Sequence, residues 1–383
     1  MSQEEIRKLV EDNDTYLRKN YEHFHEYPEL GSQEFKTCEY IAGELDRLGI
    51  SYEKIPATSI IATIKGSKTG KTIALRGDID ALPVEEETGV PFSSKNEGVM
   101  HACGHDSHIT FMLGTAKLLN ELKEQIHGTV KIFFQEGEEI GAGAKKIVAA
   151  GGLNDVDTII GLHNATTLDL GVFEVGYGIA SSIGANIEIH LKKRDSLTSN
   201  LIITASQIIN NVSALAAYGY PQNEQVVTVP TVVATHQENG KPVSVDISYN
   251  FRTLQESNVY IFNKSVREIA ANIAETAGAD VAADFWGPGV SVNNDKTCTD
   301  RAVKVIQRLY GSKAVKWGRP FMGGEDFALY QKFIPGTFIH VGAAVNEKYT
   351  VGHTNKTIVD EGVLKYGVEF LINYVFEYLN EAD

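Results

Sequence analysis

The stretch MHACGHDSH, residues 100 to 108, gathers three histidines, a cysteine and an aspartate into nine positions. Cys103 and His105 stand two residues apart, a spacing that lets a thiolate and an imidazole face one metal ion. Glu138 and Glu139 form an adjacent acidic pair after the apolar run TVKIFF. A carboxylate there is poorly solvated unless something positive compensates it. His163 ends a further apolar run, and His353 sits far along the chain in VGHTNK. Sulfur, imidazole and carboxylate together suit zinc, manganese or another first-row divalent ion. Singly, each feature is weak, since a histidine after a strand is most often hydrogen-bonded and a Glu-Glu pair most often solvated. Their shared place at the ends of apolar runs is what joins them. A thiol nucleophile, Cys103 with His105 as base, is the competing chemistry. It has no use for Glu139, His163 and His353.

These residues need a scaffold of strands and helices. TIALR (72–76), TVKIFF (129–134) and DTIIGLHN (157–164) read as buried strands, each stopping at a polar cluster. Cys38, Ile41, Leu45 and Leu48 recur at helical spacing, with Ser32 as the expected N-cap, and ITFMLGTAKLLNEL (109–122) reads as a second helix. Strands alternating with helices imply an α/β sheet running largely parallel, with ligands beyond the carboxyl ends of its strands. The pattern then changes. A strand at 186–193, an apolar helix at 201–216, two long strands around HQENGKP (236–242) with its Asn239-Gly240 turn, a helix at 256–277 and a strand DVAADFW give a β-α-β-β-α-β order. From about residue 295 the α/β pattern returns, with a strand at 337–344 and a last helix at 360–381. The expected domains are therefore 1–180, an insertion at 181–293, and 294–383.

Composition narrows the class. The chain has 383 residues, enough for two domains, with 43% hydrophobic and 22% charged residues. Its 35 basic against 50 acidic residues give a net charge of -15, which argues against nucleic acid or an anionic membrane as partner. No apolar run near membrane-spanning length is read, and the charged N-terminus has no signal-peptide pattern. Cys38, Cys103 and Cys298 are scattered and odd in number, so a reducing, cytoplasmic setting is expected.

The motifs HEYPELGSQEFKT (25–37), LRGDIDALPVEEETGVPF (75–92), MHACGHDSH, FFQEGEE (133–139), GLHN (161–164), MGGEDFALY (322–330) and VGHTN (351–355) follow in order. In them the chain resembles the M20 metallopeptidase family, in its amidohydrolase branch of aminoacylases, hippurate hydrolases and indole-acetyl-amino-acid hydrolases. The resemblance implies a zinc-peptidase-like α/β catalytic domain with a mixed, largely parallel sheet, and an inserted ferredoxin-like α+β lid that also dimerises. It implies Cys103, His105, Glu139, His163 and His353 as ligands of a two-metal centre, holding Mn2+ or Zn2+, with Co2+ or Ni2+ as alternatives. Glu138 is implied as general base to an attacking metal-bound hydroxide. Asp78, in the GDxDALP pattern, is expected to fix the tautomer of a ligand histidine. Asn164 and Arg252 are expected as supporting or substrate-facing residues, Asp106 and His108 as loop supports, and Glu325-Asp326 as groups ordering the ligand loop. His23, His25, His127, His190, His236 and His340 are read as structural or surface residues.

The insertion departs from the family. Relatives carry a G-x-x-x-H-(A/G)-x-x-P segment whose histidine reaches the partner subunit's site, whereas here HLKKRDSLTSN (190–200) stands in its place. An asparagine-bearing segment is replaced by ENGKPVSVD (238–246). The favoured expectation is an amidohydrolase of N-acyl amino acids, working as a homodimer. A dipeptidase or aminopeptidase, and a catalytically weak metal- and ligand-binding homologue, are the alternatives.

Overall fold

The computed structural model describes residues 2–194, 200–220, 226–238, 241–346 and 348–380. The chain divides into two compact units. One comprises Met1–Gly178, Val292–Arg319 and Asp326–Asp383; the other comprises Ile179–Ser291 and Pro320–Glu325.

The first part of the chain forms helices α1 (Gln3–Asp12), α2 (Asp14–Glu26), α3 (Phe35–Leu48), α4 (His105–Glu121) and α5 (Gly143–Ala149). Its strands are β1 (Ser51–Ile55), β2 (Ser59–Lys65), β3 (Lys68–Asp78), β4 (His127–Gln135), β5 (Thr158–Ala165) and β6 (Phe173–Val175). The insertion supplies β7 (Ile183–Lys193), α6 (Leu201–Tyr218), β8 (Val226–Glu238), β9 (Lys241–Thr253), α7 (Glu256–Ala277) and β10 (Ala279–Trp286). The chain then returns through α8 (Lys296–Tyr310), β11 (Val315–Trp317), β12 (Gly336–Gly342) and α9 (Val363–Leu379).

In the larger unit eight strands lie in the order β1-β2-β4-β3-β5-β12-β6-β11. The middle four, β4, β3, β5 and β12, run parallel, while β1 and β2 pair antiparallel at one edge. The middle strands are covered on both faces, so Ile73–Leu75, Val130, Ile132–Phe134, Ile159, Ile160 and Ile339 are fully buried. Parallel register brings their carboxyl ends level: Asp78 pairs with Gln135, and His163 with His340. Helix α4 packs against α2, α9 and β3, and is buried along nearly its whole length.

Three sequence expectations are corrected here. Ser32 does not cap α3. Glu34 holds the cap position without a side-chain bond, and the Ser32 hydroxyl instead meets Glu136 and Lys146. Helix α4 begins at His105 rather than Ile109, so Asp106 and His108 belong to its first turn and not to a loop. Polar residues buried at a helix start carry no apolar period, so the periodic signal begins only at Ile109. Helix α6 is long and apolar enough to cross a membrane by length and composition, although no such run was expected. Its apolarity has a local cause: Leu201, Ala205, Ile208 and Val212 are buried in the smaller unit's core, while Ile202 and Ile203 are exposed.

The smaller unit is a four-stranded antiparallel sheet, β10-β7-β9-β8, whose core residues Ile187, Ile189, Val245 and Ile247 pack with α6 and α7. On the opposite face His190, Asp246 and His236 are hydrogen-bonded across three strands. The expected Asn239-Gly240 turn and residues 195–199 of the altered HLKKRDSLTSN segment lie outside the described residues.

Candidate metal centre

The carboxyl ends of β3, β4 and β5 and the start of α4 bring the sequence-predicted residues of the larger unit together. Gly104 precedes α4 at φ 79°, and its missing Cβ leaves room for the Asn164 amide, which a methyl carbon would approach to 2.4 Å. That turn aims Cys103 and His105 at one point. The potential ligand atoms of Cys103, His105 and His163 lie within 4.8 Å of one another, as do those of Cys103, Glu139 and His353, and those of His105, Glu138 and Glu139. Cys103 Sγ is 3.5 Å from His163 Nε2, and Glu139 Oε1 is 3.3 Å from His353 Nε2. Five expected ligands and the expected base thus occupy one cluster. Arg252 belongs to the smaller unit.

The donor set suits a metal in its second contacts as well. His105 turns Nδ1 to Asp80, 2.9 Å from the backbone oxygen and 3.2 Å from Oδ1. Its Nε2 is buried without a hydrogen-bond partner among the described residues, 3.9 Å from Glu139 Oε1. His163 likewise turns Nδ1 to the Asn164 carbonyl and leaves Nε2 towards Cys103. Histidine ligands are usually held in this way, with one nitrogen on an oxygen and the other free for the metal. His353 reaches Glu139 from a left-handed backbone (φ 65°), its N–H donating to Ala102 O at 2.7 Å. That conformation costs roughly 1–2 kcal/mol.

The supports differ from expectation. Asp80, not Asp78, fixes His105, and its Oδ2 also accepts the Glu139 N–H at 3.0 Å. Asp78 instead pairs with His108 and with Arg76 at 2.5 Å. Arg76 also donates to Asp326 at 2.7 Å and Gln135 at 2.9 Å, and Asp326 accepts the Ala144 N–H at the start of α5. Asp326 is thus tied to the start of α5, after the Glu138-Glu139 loop. Gly137 N–H donates to Glu34, and Glu136 accepts the N–H groups of Thr58 and Ser59, so this loop is anchored immediately before its two carboxylates. His25, read as structural, is a buried link between Asp106 and Glu86. None of the long-range pairs among these supports leaves a trace in local spacing. Only the second aspartate of GDID, two residues beyond the first at a strand end, signals a part in the site.

Electrostatics follow from burial among carboxylates. Burial opposes the His105 imidazolium, but the Asp78 carboxylate and the hydrogen bond to Asp80 outweigh it and hold His105 well above the usual histidine range. Burial holds His163 well below that range. Burial pushes the Cys103 thiol up, His105 opposes, and Glu139 and Glu138 add to the rise. A thiol so raised is a poor nucleophile by itself, against the cysteine-hydrolase chemistry. A divalent cation would answer the same field and keep the sulfur as thiolate.

Comparison with known proteins identifies the family. The model of peptidase family M20/M25/M40 matches residues 74–377. The chain is 37% identical over 357 residues to the N-acetylcysteine deacetylase of Bacillus subtilis, spanning 90% of this chain and 92% of that protein. It is 33% identical over 380 residues to thermostable carboxypeptidase 1 of Saccharolobus solfataricus, spanning 95% of each. The crystal structure of a Bacillus subtilis protein described as a dinuclear metal binding peptidase from the M20 family matches with a TM-score of 0.85 and 34% identity, over 96% of this chain and 99% of that one. The chain belongs to peptidase family M20/M25/M40, in its amidohydrolase branch, and is a hydrolase of amide bonds.

Proposed function

We propose that the protein is a metal-dependent amidohydrolase that cleaves the amide bond of N-acyl amino acids. The observation that carries this reading is the convergence of Cys103, His105, Glu139, His163 and His353 with the Glu138 carboxylate beside two of them. In this reading those five residues hold two divalent cations, Mn2+ or Zn2+ before Co2+ or Ni2+. Such a pair would supply Lewis acidity to the scissile carbonyl and to the attacking water. Glu138, adjacent to a ligand in sequence, accepts the proton of the attacking water and returns it to the leaving amide nitrogen as the C–N bond breaks. Asp80 and the Asn164 carbonyl keep the Nδ1 atoms of His105 and His163 engaged, so each ring presents Nε2. The smaller unit takes the lid and dimerisation role. Ile202 and Ile203 on α6, with Val227, Val229 and Val233 on the edge strand β8, are exposed apolar residues suited to a second copy. A cytoplasmic site of action accords with three free cysteines.

The test is hydrolysis of N-acetyl- and N-benzoyl-amino acids and of dipeptides after loading with each of the four metals. Turnover of the acyl amino acids is expected; a metal-loaded chain that cleaves no panel member would refute both substrate readings. A dipeptidase is the second reading, favoured by the similarity to a carboxypeptidase. Preference for dipeptides on the same panel would establish it.

A further inference from the structure

His108 lies among the candidate ligands, since its ring and potential ligand atoms of Asp78 and His105 fall within 4.8 Å of one another. Both its nitrogens are nonetheless engaged. Nε2 lies 2.9 Å from the Asn164 backbone nitrogen and 2.8 Å from Asn164 Nδ2. A backbone N–H can only donate, so Nε2 carries the lone pair and the ring proton sits on Nδ1, where it meets Asp78 Oδ1. Asp78 is in turn held through its other oxygen by Arg76. Asn164, 4% exposed, carries these contacts into the site. Its side-chain amide donates towards Cys103 O at 3.0 Å and Gly104 O at 3.1 Å, and its carbonyl faces His163 Nδ1.

We propose that His108 is a positioning residue rather than a ligand: as the Nδ1–H tautomer it fixes Asn164, through which the Cys103–Gly104 turn and the His163 ring are held for the metal. The inference rests on the proposed metal centre and extends it to residues that touch no ion. It makes Arg76, Asp78, His108 and Asn164 one chain of contacts ending on two ligand residues. Loss of such an outer contact typically weakens metal binding without removing a coordination position.

The experiment titrates Co2+ alone into the full-length chain stripped with a chelator. It records ions bound per chain, affinity by competition, and the thiolate-to-cobalt and ligand-field absorption. His108→Phe removes both ring contacts. His108→Gln restores an acceptor near the position of Nε2, and Asn164→Ala removes only the side-chain ties. Circular dichroism confirms folding of each. The expected result is an unchanged number of cobalt ions in His108→Phe, bound about 10–100-fold more weakly, with altered thiolate absorption. His108→Gln should recover most of both, and Asn164→Ala should disturb the thiolate band while keeping the ion count. Loss of one ion per chain in His108→Phe would make His108 a ligand and overturn the proposal. Unchanged affinity and absorption in both His108→Phe and Asn164→Ala would overturn it equally. Turnover is not the readout. A wild-type chain that binds cobalt but hydrolyses no amide refutes the proposed activity, whereas the relay falls only on the metal-binding results.

Discussion

Replacing His25 by glutamine should destabilise the protein strongly near pH 6 and far less near pH 9.5. His25 is 1% exposed, with Nδ1 2.6 Å from Asp106 Oδ2 and Nε2 3.2 Å from Glu86 Oε1. Burial alone would lower its pKa, but the two carboxylates raise it from 6.5 to about 9. Each unit of difference between folded and unfolded chain is worth about 1.4 kcal/mol, so the proton held on His25 stabilises the fold by about 3 kcal/mol. A raised histidine pKa contributes fully below pH 6.5, and that contribution is lost as pH rises through about 9. Seen from the other partner, His25→Gln leaves Asp106 buried without its cation near pH 6, a loss of the same order as the about 3–5 kcal/mol for breaking a buried pair. The gap between wild type and variant, from urea unfolding followed by circular dichroism at several pH values, should therefore narrow by about 3 kcal/mol across this window. A gap that stays constant with pH would mean that His25 carries no proton in the fold, and the reasoning would fail. Glu86, lowered to about 2 by the same contact against the opposing effect of burial, should act on the acid side, its stabilisation lost as pH falls from 4.5 towards 2.

Glu138→Gln should reduce amide turnover by about 10²–10⁴ with metal content unchanged, measured by steady-state kinetics beside elemental analysis; unaltered turnover would remove Glu138 as the base. Arg76→Leu strands the Asp78 and Asp326 carboxylates in the interior and should lower unfolding free energy by about 3–5 kcal/mol, so a loss below about 1 kcal/mol would contradict the buried triad. Two glycine substitutions should move thermal stability in opposite directions. In Gly342→Ala the new methyl would stand 1.8 Å from Asp169 O, whereas Gly43→Ala in α3 meets nothing within 4 Å and should gain about 0.5–1 kcal/mol. Val229→Lys on the edge strand β8 should convert the proposed dimer to monomer in light scattering, and an unchanged mass would remove that surface from assembly.

The amino-acid sequence by itself determined the parallel strands, most helix positions, and the residue types that gather at the site. Period and composition are local, and TIALR, TVKIFF and DTIIGLHN announce buried strands without reference to anything distant. The residue types of the cluster were legible beside those local signals, while their roles as ligands and base were what the resemblance of the ordered motifs to the M20 family implied. The partners of the polar groups were decided only by the tertiary structure. Asp78 and Asp80 are two residues apart and chemically equivalent, yet one faces Arg76 and His108 while the other takes His105 and the Glu139 N–H. Asp78 is the last residue of β3, whereas Asp80 lies beyond it, so the path of the backbone after the strand turns the two carboxylates to different partners. His25 with Asp106, 81 positions apart, and Arg76 with Asp326, 250 apart, follow the same rule. A hydrogen bond is directional and effective only within about 3 Å, so its partner is settled by where the backbone arrives in space.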